Sequence, residues 1–269
     1  MHLPLLKAKF PHSNLTESQP PMFVGGKQLF QNGLAYEPGK LSQMEDAVSI
    51  VGEFTGNGTQ FYGVFDGHGG YRASRSCALN AAHILQESLK GTSSIESGID
   101  LAFANLHSAV IKDFHSEGTT ASMAFVIGET LYTANVGDSR ILLIKGENSK
   151  RLSVDHRVSN PDERKILQKK GVRVFSNRIE GVLNLSRSIG DQYLGLSLLH
   201  SPHVEKTPIS SGESLVIATD GVWDELSDDE VTSIVISANT PSDAAQHIKN
   251  RALQSGSEDN ITVVCVSLN

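Results

Sequence analysis

Carboxylates stand where four apolar runs begin or end. Phe61-Tyr62-Gly63-Val64-Phe65 runs into Asp66-Gly67-His68-Gly69-Gly70, and Leu215-Val216-Ile217-Ala218 runs into Thr219-Asp220-Gly221. Glu45-Asp46 precedes Ala47-Val48, and Asp259-Asn260 precedes Ile261-Thr262-Val263-Val264. Hard cations such as Mg²⁺ and Mn²⁺ take oxygen ligands in octahedral geometry and bind through a few carboxylates plus waters. A strand fixes where a carboxylate at its mouth points, and a following Gly lets the backbone come close enough for its carbonyl to serve as a ligand. Two such ions a few ångströms apart can share a water and make it a nucleophile near neutral pH. Taken singly, each Asp-Gly reads more readily as a turn. Only the four acids together, with His68 in the same loop, point to metal chemistry, and composition and spacing carry the reading no further.

The elements that must hold these acids follow from periodicity. Ala47–Val51 and Gln60–Phe65 read as short strands joined through Thr55-Gly56-Asn57-Gly58, Asn-Gly being a hairpin signal. Ala73, Cys77, Ala81, Ile84 and Leu85 share one face of a helix from Gly70 to about Leu89, and Ile99, Ala102, Phe103, Leu106 and Val110 mark a second from Ile95 to Phe114. The period then shortens to that of strands at Thr119–Ile127, Leu131–Val136 and Arg140–Lys145. Pro161 opens a short helix to Lys170, at a position where its missing N–H costs nothing. Strands are expected at Val182–Leu185 and Ser214–Thr219, helices at Asp228–Ala238 and Ser242–Leu253, and a closing strand at Asn260–Leu268. Hairpin-joined strands with helices in separate blocks argue against a doubly wound parallel sheet and for an α+β fold of antiparallel sheets covered by helices. Pro4, Pro11, Pro20, Pro21 and Gly25-Gly26 mark residues 1–28 as an N-terminal extension, leaving 29–269 as one continuous domain.

Composition bounds the function. Of 269 residues, 39% are hydrophobic and 20% charged, enough apolar material for a core and too little charge for a disordered chain. A net charge of −7 offers no basic face for nucleic acid, and the acidic excess fits a solvated surface as well as a carboxylate-rich site. Cys77 and Cys265 read as buried free thiols. Two cysteines make no disulfide framework, and they lack the paired spacing of a zinc site, so a reducing setting, cytoplasmic or alternatively nuclear, is expected. No run approaches the length of a membrane helix, Met1–Met22 holds no continuous apolar stretch of the signal-peptide kind, and His2 rules out myristoylation.

The strings themselves say more. Gln43-Met44-Glu45-Asp46 followed by Tyr62-Gly63-Val64-Phe65-Asp66-Gly67-His68-Gly69-Gly70 resembles the opening signature of the metal-dependent protein phosphatases of the protein phosphatase 2C family. The likeness continues in order through Gly118-Thr119-Thr120-Ala121-Ser122, Ala134-Asn135-Val136-Gly137-Asp138-Ser139-Arg140 and Asp155-His156 with Pro161, Glu163 and Arg164. It ends with Leu185-Ser186-Arg187-Ser188-Ile189-Gly190-Asp191, Ala218-Thr219-Asp220-Gly221-Val222-Trp223-Asp224 and Glu258-Asp259-Asn260-Ile261-Thr262, and so spans the chain from about Gly33 to its end. The resemblance implies two antiparallel sheets packed face to face and flanked by helices, a four-layer αββα arrangement. It implies hydrolysis of phosphoserine and phosphothreonine in phosphorylated protein substrates, by a water bridging two Mn²⁺ or Mg²⁺ ions, with no phosphoenzyme. Carried onto matching positions, Asp66 would bridge the two ions, Asp220 and Asp259 would complete the ligands of one, and Glu45 and the Gly67 carbonyl those of the other. Asp138 and Asp224 match positions associated with a third, weaker ion, and His68 would be the general acid. Metal charge opposes protonation of His68, so an acidic neighbour or a phosphate would be needed beside it. A cysteine-loop phosphatase is excluded, because neither cysteine has an Arg six residues on.

One position departs from the pattern. Where the family usually carries a phosphate-clamping Arg, three residues before the Met of Met-Glu-Asp, this chain has Leu41. Arg binds two phosphate oxygens with its planar fork, and Leu cannot. Lys40 is the candidate to supply a point charge instead, against the plainer reading of an exposed lysine, since neighbouring strand positions face opposite ways. The expectation is weakened phosphate binding with catalysis retained. Trp223 is expected to pack, Asp46 to orient ligands or waters, Asp191 to hold its loop without a catalytic role, and Arg140 and Arg187 to pair with acids. Residues 171–181 fall where the family carries a variable flap, where Arg173 and Arg178 would meet substrate. Two rival readings are an inactive adaptor on the same fold, favoured by Leu41 alone, and a hydrolase of small phosphate esters.

Overall fold

Phe61 and Phe65 project from one face of a strand and Tyr62 and Val64 from the other, all fully buried, so this strand needs cover on both sides. The computed structural model describes residues 22–269 apart from Asn57 and supplies that cover. Numbered along the chain, the first sheet contains β1 (Met22–Gly25), β3 (Ala47–Gly52), β4 (Thr59–Phe65), β7 (Ala121–Ile127), β8 (Thr130–Val136) and β14 (His203–Pro208), in spatial order β1-β3-β4-β7-β8-β14. The second contains β2 (Gln31–Glu37), β9 (Arg140–Lys145), β10 (Asn148–Arg151), β15 (Glu213–Ala218) and β16 (Ile261–Ser267), in order β10-β9-β15-β16-β2. Every pairing in the two sheets is antiparallel except β1 with β3, which is parallel.

Side-chain alternation assigns the layers. Val48, Ile50, Tyr62, Val64, Ala124 and Val126 of the first sheet meet Ile141, Leu143, Leu215, Ile217 and Val264 of the second between the sheets. Phe61, Phe65, Met123 and Phe125 face outward onto helices α1 (Arg72–Lys90) and α2 (Ile95–Asp113). On the far side Leu142, Ile144, Val216 and Val263 pack under α4 (Asp220–Trp223), α5 (Asp228–Ser237) and α6 (Pro241–Ser255). The result is the expected αββα sandwich. A smaller cluster built on Val158, Leu167, Ile179, Leu183 and Leu185 anchors α3 (Pro161–Lys169) and the hairpin β11 (Val174–Phe175) with β12 (Arg178–Ile179).

Several segments differ from the sequence expectation. Val182–Leu185 is not a strand: it makes only the isolated bridges Ile179 to Leu183 and Arg157 to Leu185, because its neighbours curl back into the hairpin. Thr119–Ile127 is broken at Thr120, which separates β6 (Gly118–Thr119) from β7. β6 leaves the large sheet to pair with β5 (Gly67–His68) on one side and β13 (Ile189–Gly190) on the other. β2, β10 and β14 were not anticipated, since their charged and glycine positions hide the alternation. Met22–Gly25, within the segment read as an extension, is an edge strand of the first sheet, and residues 1–21 lie outside the described residues, as does Asn57 of the expected turn. Among the described residues no helix is long and apolar enough to cross a membrane.

Candidate metal centre and active site

The acids converge at one end of the sandwich because the strands of both sheets open there. Asp66 follows β4; its N–H donates to Thr120 Oγ1 at 3.0 Å, and its carbonyl accepts from Thr120 N–H at 2.8 Å and Thr119 Oγ1 at 3.0 Å. The break in the Thr119–Ile127 segment thus fastens the Asp66 backbone. A Cβ on Gly67 would lie 2.5 Å from the Glu45 carbonyl, so only glycine allows the Glu45 and Asp66 segments to approach this closely. Glu45 is tied across to the second sheet: its N–H donates to Asn260 Oδ1 at 2.7 Å, while Gly70 N–H reaches its Oε2 at 3.3 Å and Ser74 Oγ its carbonyl. Asn260 Nδ2 also donates to the Pro38 and Gln43 carbonyls, at 2.9 and 3.1 Å. Asp220 starts α4 and Asp224 follows one turn on; Asp138 lies in the connection from β8 to β9.

The electrostatics are those of crowded anions. Burial, and then the charges of Asp46, Asp220, Asp138 and Asp259, push the Asp66 carboxyl well above the usual range. Asp220 is pushed up in the same way by burial, Asp138, Asp259 and Asp224. Burial first, then Asp259, raises Asp46 to about 7, and burial raises Asp138 and Glu45. Asp46 is fully buried; its Oδ2 accepts from Thr219 Oγ1 at 3.2 Å and its Oδ1 has no partner among the described residues. Buried carboxylates with an unpaired oxygen suit a hard divalent cation, which would relieve the repulsion. As the side chains stand, no three acid, imidazole or thiol groups among the described residues close on a single point, so the acids form a charged basin and not a finished cage. Among the described residues, Arg157, which the sequence reading passed over, enters it as a cation. Its Nε donates to Asp138 Oδ2 at 2.7 Å, and its Nη2 lies 2.7 Å from Asp224 Oδ1 and 3.4 Å from Asp220 Oδ2.

His68 sits beside the basin with its Nε2 2.8 Å from Asp191 Oδ2; its side chain is 26% exposed and that of Asp191 1%. This is the acidic neighbour the sequence left unnamed; Asp191, expected to hold its loop, contacts His68 as well. Ser188 Oγ donates to the same Oδ2, and Asp191 N–H donates to the Glu117 carbonyl at 3.0 Å. Asp191 adopts left-handed φ 53°, ψ 44°, which turns its side chain back toward His68. A Cβ on Gly118 would stand 2.1 Å from Asp191 Oδ2 and 2.4 Å from His68 Nε2, so this glycine clears the space where the two meet. Glu117 also caps α1 from outside, accepting from Arg72 N–H at 2.8 Å and Ala73 N–H at 3.3 Å, and so fixes the loop that carries His68.

Leu41 lines the groove over Asp220, Asp224 and Asp259, and Lys40 pairs with Glu258 at its rim, with 72% of the lysine side chain exposed. Both lie in the connection from β2 to β3 rather than in a strand, so the argument from opposite strand faces does not apply to them. Arg140 pairs with Asp155 and, at 2.6 Å, Asp228; Arg187 grips Glu163 at 2.6 and 2.9 Å; Trp223 donates to the Ala218 carbonyl at 2.8 Å and packs, all as expected. Arg173 pairs with Glu180, and Arg178 donates to the Val182 carbonyl, both within the hairpin segment. Asn260, Glu117 and Arg157 carried no sequence signal beyond their neighbours, because their partners lie far along the chain.

A family model described as Protein phosphatase 2C matches residues 36–261. "Probable protein phosphatase 2C 59" of Arabidopsis thaliana is 35% identical over 261 residues, covering 90% of this chain and 83% of that protein. "Protein phosphatase 2C homolog 1" of Schizosaccharomyces pombe is 36% identical over 238 residues, 84% of this chain and 69% of that protein. The chain belongs to the protein phosphatase 2C family, a family of metal-dependent protein serine/threonine phosphatases. Among solved structures, a serine-threonine phosphatase 2C from Toxoplasma gondii superposes with a TM-score of 0.76 at 20% identity, over 93% of this chain and 97% of that one. A C. elegans sex determining protein gives 0.81 at 22% identity, over 89% of this chain and 65% of that one; at such identities the likeness is one of fold.

Proposed function

We propose that residues 29–269 form a catalytic domain that hydrolyses phosphoserine and phosphothreonine in proteins, in a reducing, cytoplasmic compartment. The observation that carries this is the basin of crowded carboxylates at the mouth of both sheets, with the His68–Asp191 pair at its edge. Glu45, Asp66, the Gly67 carbonyl, Asp220 and Asp259 would hold two Mg²⁺ or Mn²⁺ ions. Bound there, the ions supply an activated water and neutralise charge on the phosphoryl oxygens. The chain's own residues do the rest. Asp191 orients the His68 ring; with Nε2 engaged, Nδ1 is the nitrogen that gives its proton to the leaving serine or threonine oxygen. Buried free Cys77 and Cys265 take no part and fit the reducing setting.

The test is hydrolysis of a phosphothreonine peptide with Mn²⁺, with and without EDTA, beside Asp66→Asn. Activity that requires metal and disappears in the variant is expected. A folded protein inert at high peptide and Mn²⁺ would overturn the reading and leave the second one, an adaptor that binds phosphoproteins without hydrolysing them. Leu41 in the groove, where an arginine would grip phosphate, is what favours that alternative.

A further inference from the structure

We infer that the Arg157 guanidinium is a tethered cation filling the space between Asp138, Asp220 and Asp224, so that the chain assembles with two metal ions and leaves no third site open. The inference rests on the two-ion reading above and concerns the acids beside that centre. Two of the three contacts are short, 2.7 Å to Asp138 Oδ2 and 2.7 Å to Asp224 Oδ1. The longest, 3.4 Å, goes to Asp220, the acid shared with the two-ion centre, which leaves that carboxylate the freest of the three. The backbone of Arg157 is fixed from behind: it bridges to Leu185, its N–H donates to the Asp155 carbonyl at 3.0 Å, and its carbonyl accepts from Asn160 N–H at 2.9 Å. The side chain is therefore aimed into the acids by the fold.

A guanidinium differs from any other occupant in two ways. It keeps its charge across the whole accessible pH range, so it cannot step aside by losing a proton. Its planar fork also matches several carboxylate oxygens at once, which an ion such as Mg²⁺ would instead draw in to about 2.0–2.1 Å. The two cannot share the space, because a bound ion would need the same oxygens and would be repelled by a fixed positive charge beside it. Asp138 is 3% exposed, and Arg157 is its counter-charge.

The experiment counts ions. Crystals of the intact chain soaked at high Mn²⁺ are measured at the manganese edge, and Mn²⁺ binding is followed in parallel by calorimetry, for the wild type, Arg157→Ala, Arg157→Gln and the pair Arg157→Ala with Asp138→Asn. Two anomalous peaks are expected in the wild type, a third between Asp138, Asp220 and Asp224 in either single variant, and its loss in the double variant. A third ion among these acids in the wild type would overturn the inference, as would folded Arg157 variants that still hold two. Should neither variant fold, the wild-type count decides alone. A wild type that takes no ion beside Glu45 and Asp66 would instead sink the two-ion reading, and the inference with it.

Discussion

Asp191 and His68 meet through one hydrogen bond of 2.8 Å, and Asp191→Asn keeps the shape of that contact while removing its charge. General acid catalysis is worth about 10²–10⁴-fold, so losing the orienting charge should cost kcat about 10- to 100-fold on a phosphothreonine peptide, with KM little changed. An aryl phosphate whose leaving group needs no proton should be nearly spared. Equal losses on both substrates would show that Asp191 merely holds the loop. Leu41 gives the complementary case. Leu41→Arg adds a charge-assisted phosphate contact worth ~1.5–3 kcal/mol, discounted toward the lower figure because the position is half exposed, so kcat/KM should rise about tenfold through KM. No gain would mean that another group already grips the phosphate.

At the scale of elements, the site is a junction between sheets. Asn260, at the mouth of β16, accepts from Glu45 N–H and donates to Pro38 and Gln43, so one side chain of the second sheet fixes the segment leading into β3 of the first. Asn260→Ala leaves those part-buried groups without partners and should lower stability by about 1 kcal/mol in urea melts. Mn²⁺ affinity should weaken alongside, because Glu45 loses its anchor. Unchanged affinity in a destabilised variant would separate the junction from the metal site. The helices α1, α2, α3, α5 and α6 were legible from sequence, as were strands with clean alternation; the four-residue α4 that carries Asp220 was not. β10 and β14 were not, because their charged residues are edge positions that only pairing with a neighbour makes into strands.

For the whole molecule, the buried acids set a conflict between folding and charge. Asp66 and Asp220 have folded-state pKa values raised above the usual 3.8. Their contribution to stability is therefore fully present below about 3.8 and is lost as pH rises through the raised values. Divalent metal bound only by the folded chain reverses that loss. Mn²⁺ should raise Tm at neutral pH, EDTA should lower it, and the difference should shrink on acidification as protons replace metal. A metal effect on Tm that is independent of pH would place binding outside this basin.

The sequence by itself determined the local things. The apolar runs, the acids at their mouths, the glycine after Asp66 and the order of motifs are readable because each depends on neighbours along the chain. Which acids face one another, that His68 meets Asp191 across 123 positions, that Gly118 clears their meeting place and that Arg157 enters the basin were decided only by tertiary structure. The reason is physical: burial and Coulomb coupling act through space, and packing the two sheets is what brings charges distant in sequence within reach of one another.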